Sequence, residues 1–409
     1  MTHSNFLGRF EELDALLLKW RWLWRQEPFK QPQLCWYRIY PQWRERLMAL
    51  DDDAVQLLSA DPAELHRFAC EELGVCIPGH LTTVTALAFE QAGNDSRERV
   101  PDGIRPRKWA QISCFARALR SSDLSSDHHL VEWCAGKAHL SRGLLNAGLA
   151  HSAHALEHNA GLVHEGANAA GKLGLDISFH LQDVLDPDVA RFCRPDSHHV
   201  ALHACGDLHV NMLEQCSHSQ VPRIDLVPCC YHLARGKSYQ ALSRPGQCSA
   251  LELDNSALKL AVQETVTAPA SAQRQRIRLQ QWRLGFDCLV REVFGRENYL
   301  PLPSLSASEA GADFIDFCRR MADGKGITLP QAIDIDYFEQ RGRERFRQVS
   351  REDLVRHLFR RPLELWLVYD RCLYLEENGY VVSLHEFCQR QLTPRNLWIH
   401  ASRVASVDI

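Results

Sequence analysis

Five short stretches hold the residues best able to do chemistry. "VEWCAGKAHLSRGLL" places Glu132 ahead of Cys134, Gly136 and Ala138, which are small residues at alternate positions. That pattern suits a tight turn at the end of a strand, where the backbone passes close to a ligand and a side chain would obstruct it. Glu157 closes "HSAHALE", and Asp183 lies in "LQDV". A carboxylate at the end of a second strand can accept both hydroxyls of a ribose. One at the end of a third strand can accept from an adenine amino group. Taken singly, each acid is as readily a helix cap. Three acids at three successive strand ends point instead to a nucleoside-type cofactor. The G-x-G-x-x-G fingerprint is absent, which argues against NAD and FAD.

The other two stretches are "LHACGDL" and "DLVPCCYH", with Cys205 and Asp207 in one and Cys229, Cys230 and His232 in the other. Four roles are open to these cysteines. They can be small buried packing residues. They can form a pocket wall in which His232 or Asp207 takes a substrate proton, a task suited to a group that titrates near neutrality. One of Cys205 and Cys229 can be a nucleophile that adds to a pyrimidine ring, given a depressed thiol pKa. They can also bind a metal together with His232. The last role is disfavoured because successive side chains of an extended strand face opposite sides, so at most one of Cys229 and Cys230 faces a substrate. No metal is expected, and no disulfide between the two.

The elements that position these residues follow from periodicity. "HHLVEWC", "HSAHALE" (151–157), "LDISFHLQD" (175–183), "SHHVALHA" (197–204) and "RIDLVPC" (223–229) read as strands separated by helical stretches. Alternation of this kind predicts a parallel sheet covered on both faces, with ligands at the carboxyl edge. The alternation stops after His232 and resumes with the helix "RPLELWLVYDRCLYLEENGY" and the strands "YVVSLHEF" and "NLWIHAS". The chain therefore divides into a helical N-terminal domain (1–104), a core (105–235), a helical insertion (236–360) and a tail that completes the core (361–409). In the N-terminal part, Leu13, Leu16, Leu17, Trp20 and Trp24 share one helical stripe, and Asp61-Pro62 starts a helix that Gly74 ends. The polar stretch 90–106 is a linker.

The spaced motifs "VEWCAGKAHLSRGL", "ALHACGDL", "DLVPCCYH" and "GYVVSLHEF … TPRNLWIHA" resemble one family of S-adenosylmethionine (SAM)-dependent methyltransferases. Its members include the methyltransferase-like twenty-five proteins and the glutathione S-transferase C-terminal-domain protein. The tRNA acceptor-stem ribose 2′-O-methyltransferase is a looser relative. The resemblance covers roughly residues 105–235 and 363–402. It implies a Rossmann-like seven-stranded α/β fold with bound SAM. The cofactor set is then Glu132, Cys134, Gly136, Lys137, Ala138, Glu157, Asp183, Val184 and His203. The catalytic set is His232, Asp207, Cys229 and Cys230, and Cys205 belongs to the same signature. Cys134 and Ala138 depart from the family's glycines.

The chain has 409 residues, 24% of them charged, and a formal net charge of −4, so any nucleic-acid surface must be local. No apolar run reaches the length of a membrane span, and the opening residues do not form a signal peptide. The scattered cysteines fit a cytoplasmic protein with reduced thiols. Arg274, Arg276, Arg278 and Arg283 lie beside Trp282, which suggests an RNA-backbone surface with an aromatic for stacking. The arginines at 341–361 are interleaved with acids. RNA, with tRNA among the candidates, is the favoured methyl acceptor. A protein or small-molecule acceptor, RNA cytosine-5 chemistry with a Cys nucleophile, and an inactive RNA- or protein-binding relative are the alternatives.

Overall fold

The computed structural model describes residues 5–87, 100–121, 129–236, 238–263, 270–303, 305 and 311–403. Seven strands form one sheet: β1 His129–Trp133, β2 Ala153–Glu157, β3 Ile177–Leu181, β4 Ser197–Cys205, β5 Arg223–Cys229, β6 Tyr380–Glu386 and β7 Leu397–Arg403. Their order is β3-β2-β1-β4-β5-β7-β6. The first five are parallel, and β7 runs antiparallel between β5 and β6. Every residue of β5 is buried, as expected of a parallel strand covered on both faces.

The strand order reverses at β1, between β2 and β4. The loops after β1, β2, β4 and β5 therefore meet at the carboxyl edge, where open α/β sheets bind ligands. Most of the predicted acids sit there, together with both cysteine motifs. Helices of the crossovers begin at this edge. Ala160–Lys172 is capped by Asn159, whose Oδ1 accepts from the Gly161 N–H at 2.9 Å. One core cluster joins the helix Pro106–Arg120 to the sheet through Ile112, Phe115, Leu130, Leu144, Val200 and Trp398.

The chain divides into two compact units. One comprises Met1–Leu18, Pro78–Val266 and Arg360–Ile409, and the other Lys19–Ile77 and Thr267–Phe359. This differs from the grouping expected from local pattern, which kept 1–104 and 236–360 as separate blocks. The reason is long-range polar pairing within the helical unit. Glu352, fully buried, accepts from Tyr37 Oη at 3.0 Å and pairs with Arg345 at 3.1 Å. Arg351 donates to the Leu50 carbonyl, and Arg356 to that of Trp24. The same unit has its own apolar core, including Trp282, Phe286, Leu289, Phe314 and Phe317.

Asp61 caps its helix as expected, accepting from the Ala63 N–H at 2.8 Å. The expected N-terminal stripe is broken at Trp20, between helices Phe6–Lys19 and Arg21–Trp24. Cys70 and Cys76 are drawn together as a close pair. The left-handed turn at Gly74 brings their Cα atoms to 4.7 Å. The other cysteines are free. Of the expected linker 90–106, residues 90–99 lie outside the described residues, and Pro106 already opens a helix.

Candidate functional site

The loop after β1 keeps the shape of a glycine turn with only one glycine. Cys134, Gly136 and Ala138 have φ of +55°, +58° and +52°. For Cys134 and Ala138 this left-handed conformation costs roughly 1–2 kcal/mol each. A Cβ at Gly136 would meet nothing within 4 Å, so the turn opens onto free space at the sheet edge.

Glu132 is 5% exposed, and its carboxylate faces inward. It accepts from Ser141 N–H at 2.9 Å and Ser141 Oγ at 2.6 Å. The helix His139–Asn146 starts after Ala138, which has no capping side chain. Glu132 thus supplies from β1 the acceptor that the helix start lacks. Burial pushes its carboxyl up to about 7, against the pull of these hydrogen bonds.

Glu157 clasps the same loop. One carboxylate oxygen accepts from Gly136 N–H and the other from Asn159 N–H, both at 2.9 Å. The oxygen on Asn159 also lies 3.1 Å from His158 Nδ1, and the oxygen on Gly136 retains a further lone pair. Asp183 is exposed beyond β3, with one oxygen on the Leu185 N–H at 2.9 Å. Val184 is buried, and its carbonyl accepts from Asn211 Nδ2 at 2.6 Å. Lys137 pairs with Glu165 at the surface. An open turn with two acids beside it fits a nucleoside-type cofactor.

At the β4–β5 edge the backbone departs from regular pairing. The register shifts between Leu202 and Ala204, and His203 takes φ +68°. This bulge re-aims the end of β4. His203 Nε2 lies 3.1 Å from Gln111 Oε1, on a helix that sequence reasoning did not connect with the site. Burial, then Arg395, pulls the imidazole down to about 4. Arg395 follows β6 in "TPRNLWIHA". Nothing local in that motif signals its proximity to His203.

Cys205 and Cys229 are register partners, with Sγ atoms 3.5 Å apart. Cys230 joins them, and all three Sγ atoms lie within 4.8 Å of one another. The expectation that Cys229 and Cys230 face opposite sides fails here. The strand ends at Cys229, and Cys230 takes φ +48°, which turns its thiol to the same side. The two loops are clipped together: Gly206 N–H donates to the Cys229 carbonyl at 3.1 Å, and Asp207 N–H to that of Leu233 at 3.2 Å. A Cβ at Gly206 would lie 2.0 Å from the Leu233 oxygen, so only glycine permits this approach. Asp207 Oδ2 accepts from Arg235 N–H at 2.7 Å, which commits one oxygen of this candidate base to the clip.

The thiols are unequal. Hydrogen bonds to Cys205 and Cys230 push Cys229 far above the ordinary thiol range. Hydrogen bonds from Cys205 and Cys229 pull Cys230 well below it. Cys229, 4% exposed and with its thiol pushed upward, is poorly suited to attack a pyrimidine ring. His232 follows with a buried Nδ1 that makes no hydrogen bond among the described residues.

The arginine expectations separate. Arg274, Arg276 and Arg278 are exposed on the helix Ala270–Phe294. Arg283 donates to the carbonyls of Leu302 and Pro303, and Trp282 is 4% exposed with its Nε1 on Glu339 at 3.1 Å. Trp282 is core and cannot stack on a base. Arg278 lies over its ring, 4.8 Å from the centroid. In the second run, Arg341, Arg343, Arg345, Arg351 and Arg356 pair with acids of the same unit.

Residues 107–237 match a family described as a methyltransferase domain. No curated protein matches the chain. Among solved structures, M. capricolum TrmK in complex with S-adenosyl-homocysteine is 14% identical with a TM-score of 0.23, over 27% of this chain and 50% of that one. An rRNA methylase from Streptococcus thermophilus is 14% identical with a TM-score of 0.23, over 31% and 72%. An S-adenosylmethionine-dependent methyltransferase from Clostridium acetobutylicum is 15% identical with a TM-score of 0.24, over 30% and 50%. The chain thus spans half the length of the first and third. No helix among the described residues is long and apolar enough to cross a membrane.

Proposed function

We propose a cytoplasmic SAM-dependent RNA methyltransferase of the methyltransferase-like twenty-five type, with tRNA as the first acceptor to test, built on the core whose residues 107–237 match a methyltransferase domain. The observation favouring RNA is the exposed set Arg274, Arg276 and Arg278. Arg274 and Arg276 are exposed, so their guanidinium groups can reach phosphates for bidentate contacts.

The residues that would hold the cofactor are Glu157 and Asp183, beside the left-handed loop Cys134–Ala138. Cys134 and Lys137 contribute backbone to that cradle, and Val184 shapes its floor. Glu132 acts one step back, by holding the helix start. Bound SAM supplies an electrophilic methyl group on a sulfonium. His232 takes the proton that the attacking hydroxyl or amine must lose, and Asp207 keeps the loop bearing His232 in place. Cys229 and Cys230 wall the pocket.

The test is mass spectrometry of nucleosides from RNA of a deletion strain, followed by remethylation of that RNA with the purified protein. One methylated nucleoside should disappear and be restored. An unchanged nucleoside inventory, with methyl transfer to protein in the same extract, would overturn the RNA assignment.

A further inference from the structure

Three thiols at the ends of two neighbouring strands form a cluster of unusual construction. Cys205 and Cys229 face each other across β4 and β5, with Sγ atoms 3.5 Å apart. Cys230 reaches the same point only because its backbone is left-handed, at φ +48°. That conformation is disfavoured for a residue with a Cβ by roughly 1–2 kcal/mol. Packing alone offers no reason to hold a thiol there. The scaffold around the cluster is rigid: Leu233 N–H donates to the Cys230 carbonyl at 2.8 Å, and the loop after β4 is clipped to it through Gly206 and Asp207. Cys205 and Cys230 are partly exposed, so an ion has a way in.

We propose that Cys205, Cys229 and Cys230 form a three-thiolate site for a thiophilic divalent cation, Zn²⁺ in the first instance. Three sulfur ligands on a rigid scaffold suit zinc, which binds thiolates without geometric preference from its d electrons. The metal-competent group here comprises three residues only. Zinc with three protein ligands keeps a fourth position for water or another exogenous ligand. Each thiol that binds releases its proton to solvent, so three S–H bonds are replaced by three S–Zn bonds without any change of oxidation state. A second buried group, Cys193, His199 and Cys216, does not compete on equal terms. Both ring nitrogens of His199 are already engaged, Nδ1 by Trp133 Nε1 at 2.8 Å and Nε2 with Ser197 Oγ at 2.9 Å.

The proposal needs nothing from the methyl-transfer reading, and its test keeps the two apart. Full-length protein, stripped with a chelator, is titrated with Co²⁺, and the thiolate-to-cobalt charge-transfer band is followed. One equivalent should bind, and Zn²⁺ should displace it. Cys230→Ser should weaken the band, Cys205→Ser with Cys230→Ser should remove it, and Cys193→Ser with Cys216→Ser should leave it. A second measurement uses the unmodified protein. Zn²⁺ should protect Cys205 and Cys230 from alkylation by a maleimide, and should leave the exposed Cys35 and Cys248 reactive. No cobalt band, a band indifferent to Cys205 and Cys230, or alkylation indifferent to Zn²⁺ would each overturn the site. SAM binding is measured by calorimetry on the same samples. SAM binding without metal binding removes the metal site alone, and the reverse removes the methyl-donor reading alone.

Discussion

At the residue scale, Glu132 and His232 are the most informative side chains of the candidate site. Glu132 is a buried carboxyl pushed up to about 7. Its folded pKa lies above its unfolded one, so its contribution to stability is fully present below the unfolded value and is lost as pH rises through about 7. Glu132→Gln keeps an acceptor for Ser141 but cannot ionise. Relative to the parent, this variant should gain of the order of 1–3 kcal/mol between pH 4.5 and pH 8. Chemical denaturation of both proteins across that range is the measurement, and a pH-independent difference would refute the assignment. For His232 the prediction is kinetic. His232→Ala should lower turnover by roughly 10²–10⁴-fold, the range for a lost general base. Cys229→Ala should lower it only modestly, since a buried thiol pushed above its ordinary range is a poor nucleophile. Turnover abolished by Cys229→Ala, with a 5-fluoropyrimidine adduct on that residue, would reverse the ranking.

At the element scale, one carboxylate adds a side-chain tie among β4, β5 and the antiparallel β7 to their backbone pairing. Asp225 is fully buried and accepts from His198 Nε2 at 2.6 Å, Arg223 Nε at 3.1 Å, Trp398 Nε1 at 2.8 Å and His400 Nδ1 at 2.8 Å. Burial alone would push its carboxyl up, but His400 and His198 hold it well below the ordinary carboxylate range. Asparagine keeps one acceptor oxygen, but it removes the charge and sets an NH2 donor against N–H groups that need the other oxygen. Asp225→Asn should therefore destabilise the sheet unit by about 3–5 kcal/mol at pH 7. The sign with pH is opposite to that of Glu132. A depressed carboxylate stabilises above its unfolded pKa, and the benefit is lost as pH falls through the lower folded value. The gap between parent and variant should accordingly narrow in acid, below about pH 4. A variant within 1 kcal/mol of the parent at neutral pH, on the scale of an ordinary surface substitution, would show that the network is dispensable.

At the scale of the whole molecule, two units share one chain, and each has a separable contribution to test. The sheet unit carries the candidate cofactor edge, and the helical unit carries the exposed arginines. Changing Arg274, Arg276 and Arg278 together to Gln should weaken RNA binding and flatten its dependence on log salt by about 2–3, since each phosphate contact contributes about 0.7–0.9. SAM affinity should not move. An unaltered slope in filter binding across a salt series would make these arginines a solvated face. Arg283 is a poor choice for this experiment, because its guanidinium already holds the carbonyls of Leu302 and Pro303.

The amino-acid sequence by itself determined the elements and the edge. Strands β1 to β7 are legible because parallel strands buried on both faces appear as short apolar runs, and the helices between them as interrupted periodic stretches. Glu157 and Asp183 were legible as strand-end acids for the same reason. What only the tertiary structure decided involves backbone exceptions and long-range pairing. Alternation along an extended strand separates Cys229 from Cys230, and a single left-handed residue reverses that. Trp282 beside arginines resembles a stacking surface until its burial in a helical core is known. Glu132 looks like a cofactor ligand, and it is Ser141, nine positions along the chain, that claims its carboxylate. The partners of Tyr37 and Leu50 lie some three hundred residues away, and no local periodicity encodes contacts at that range.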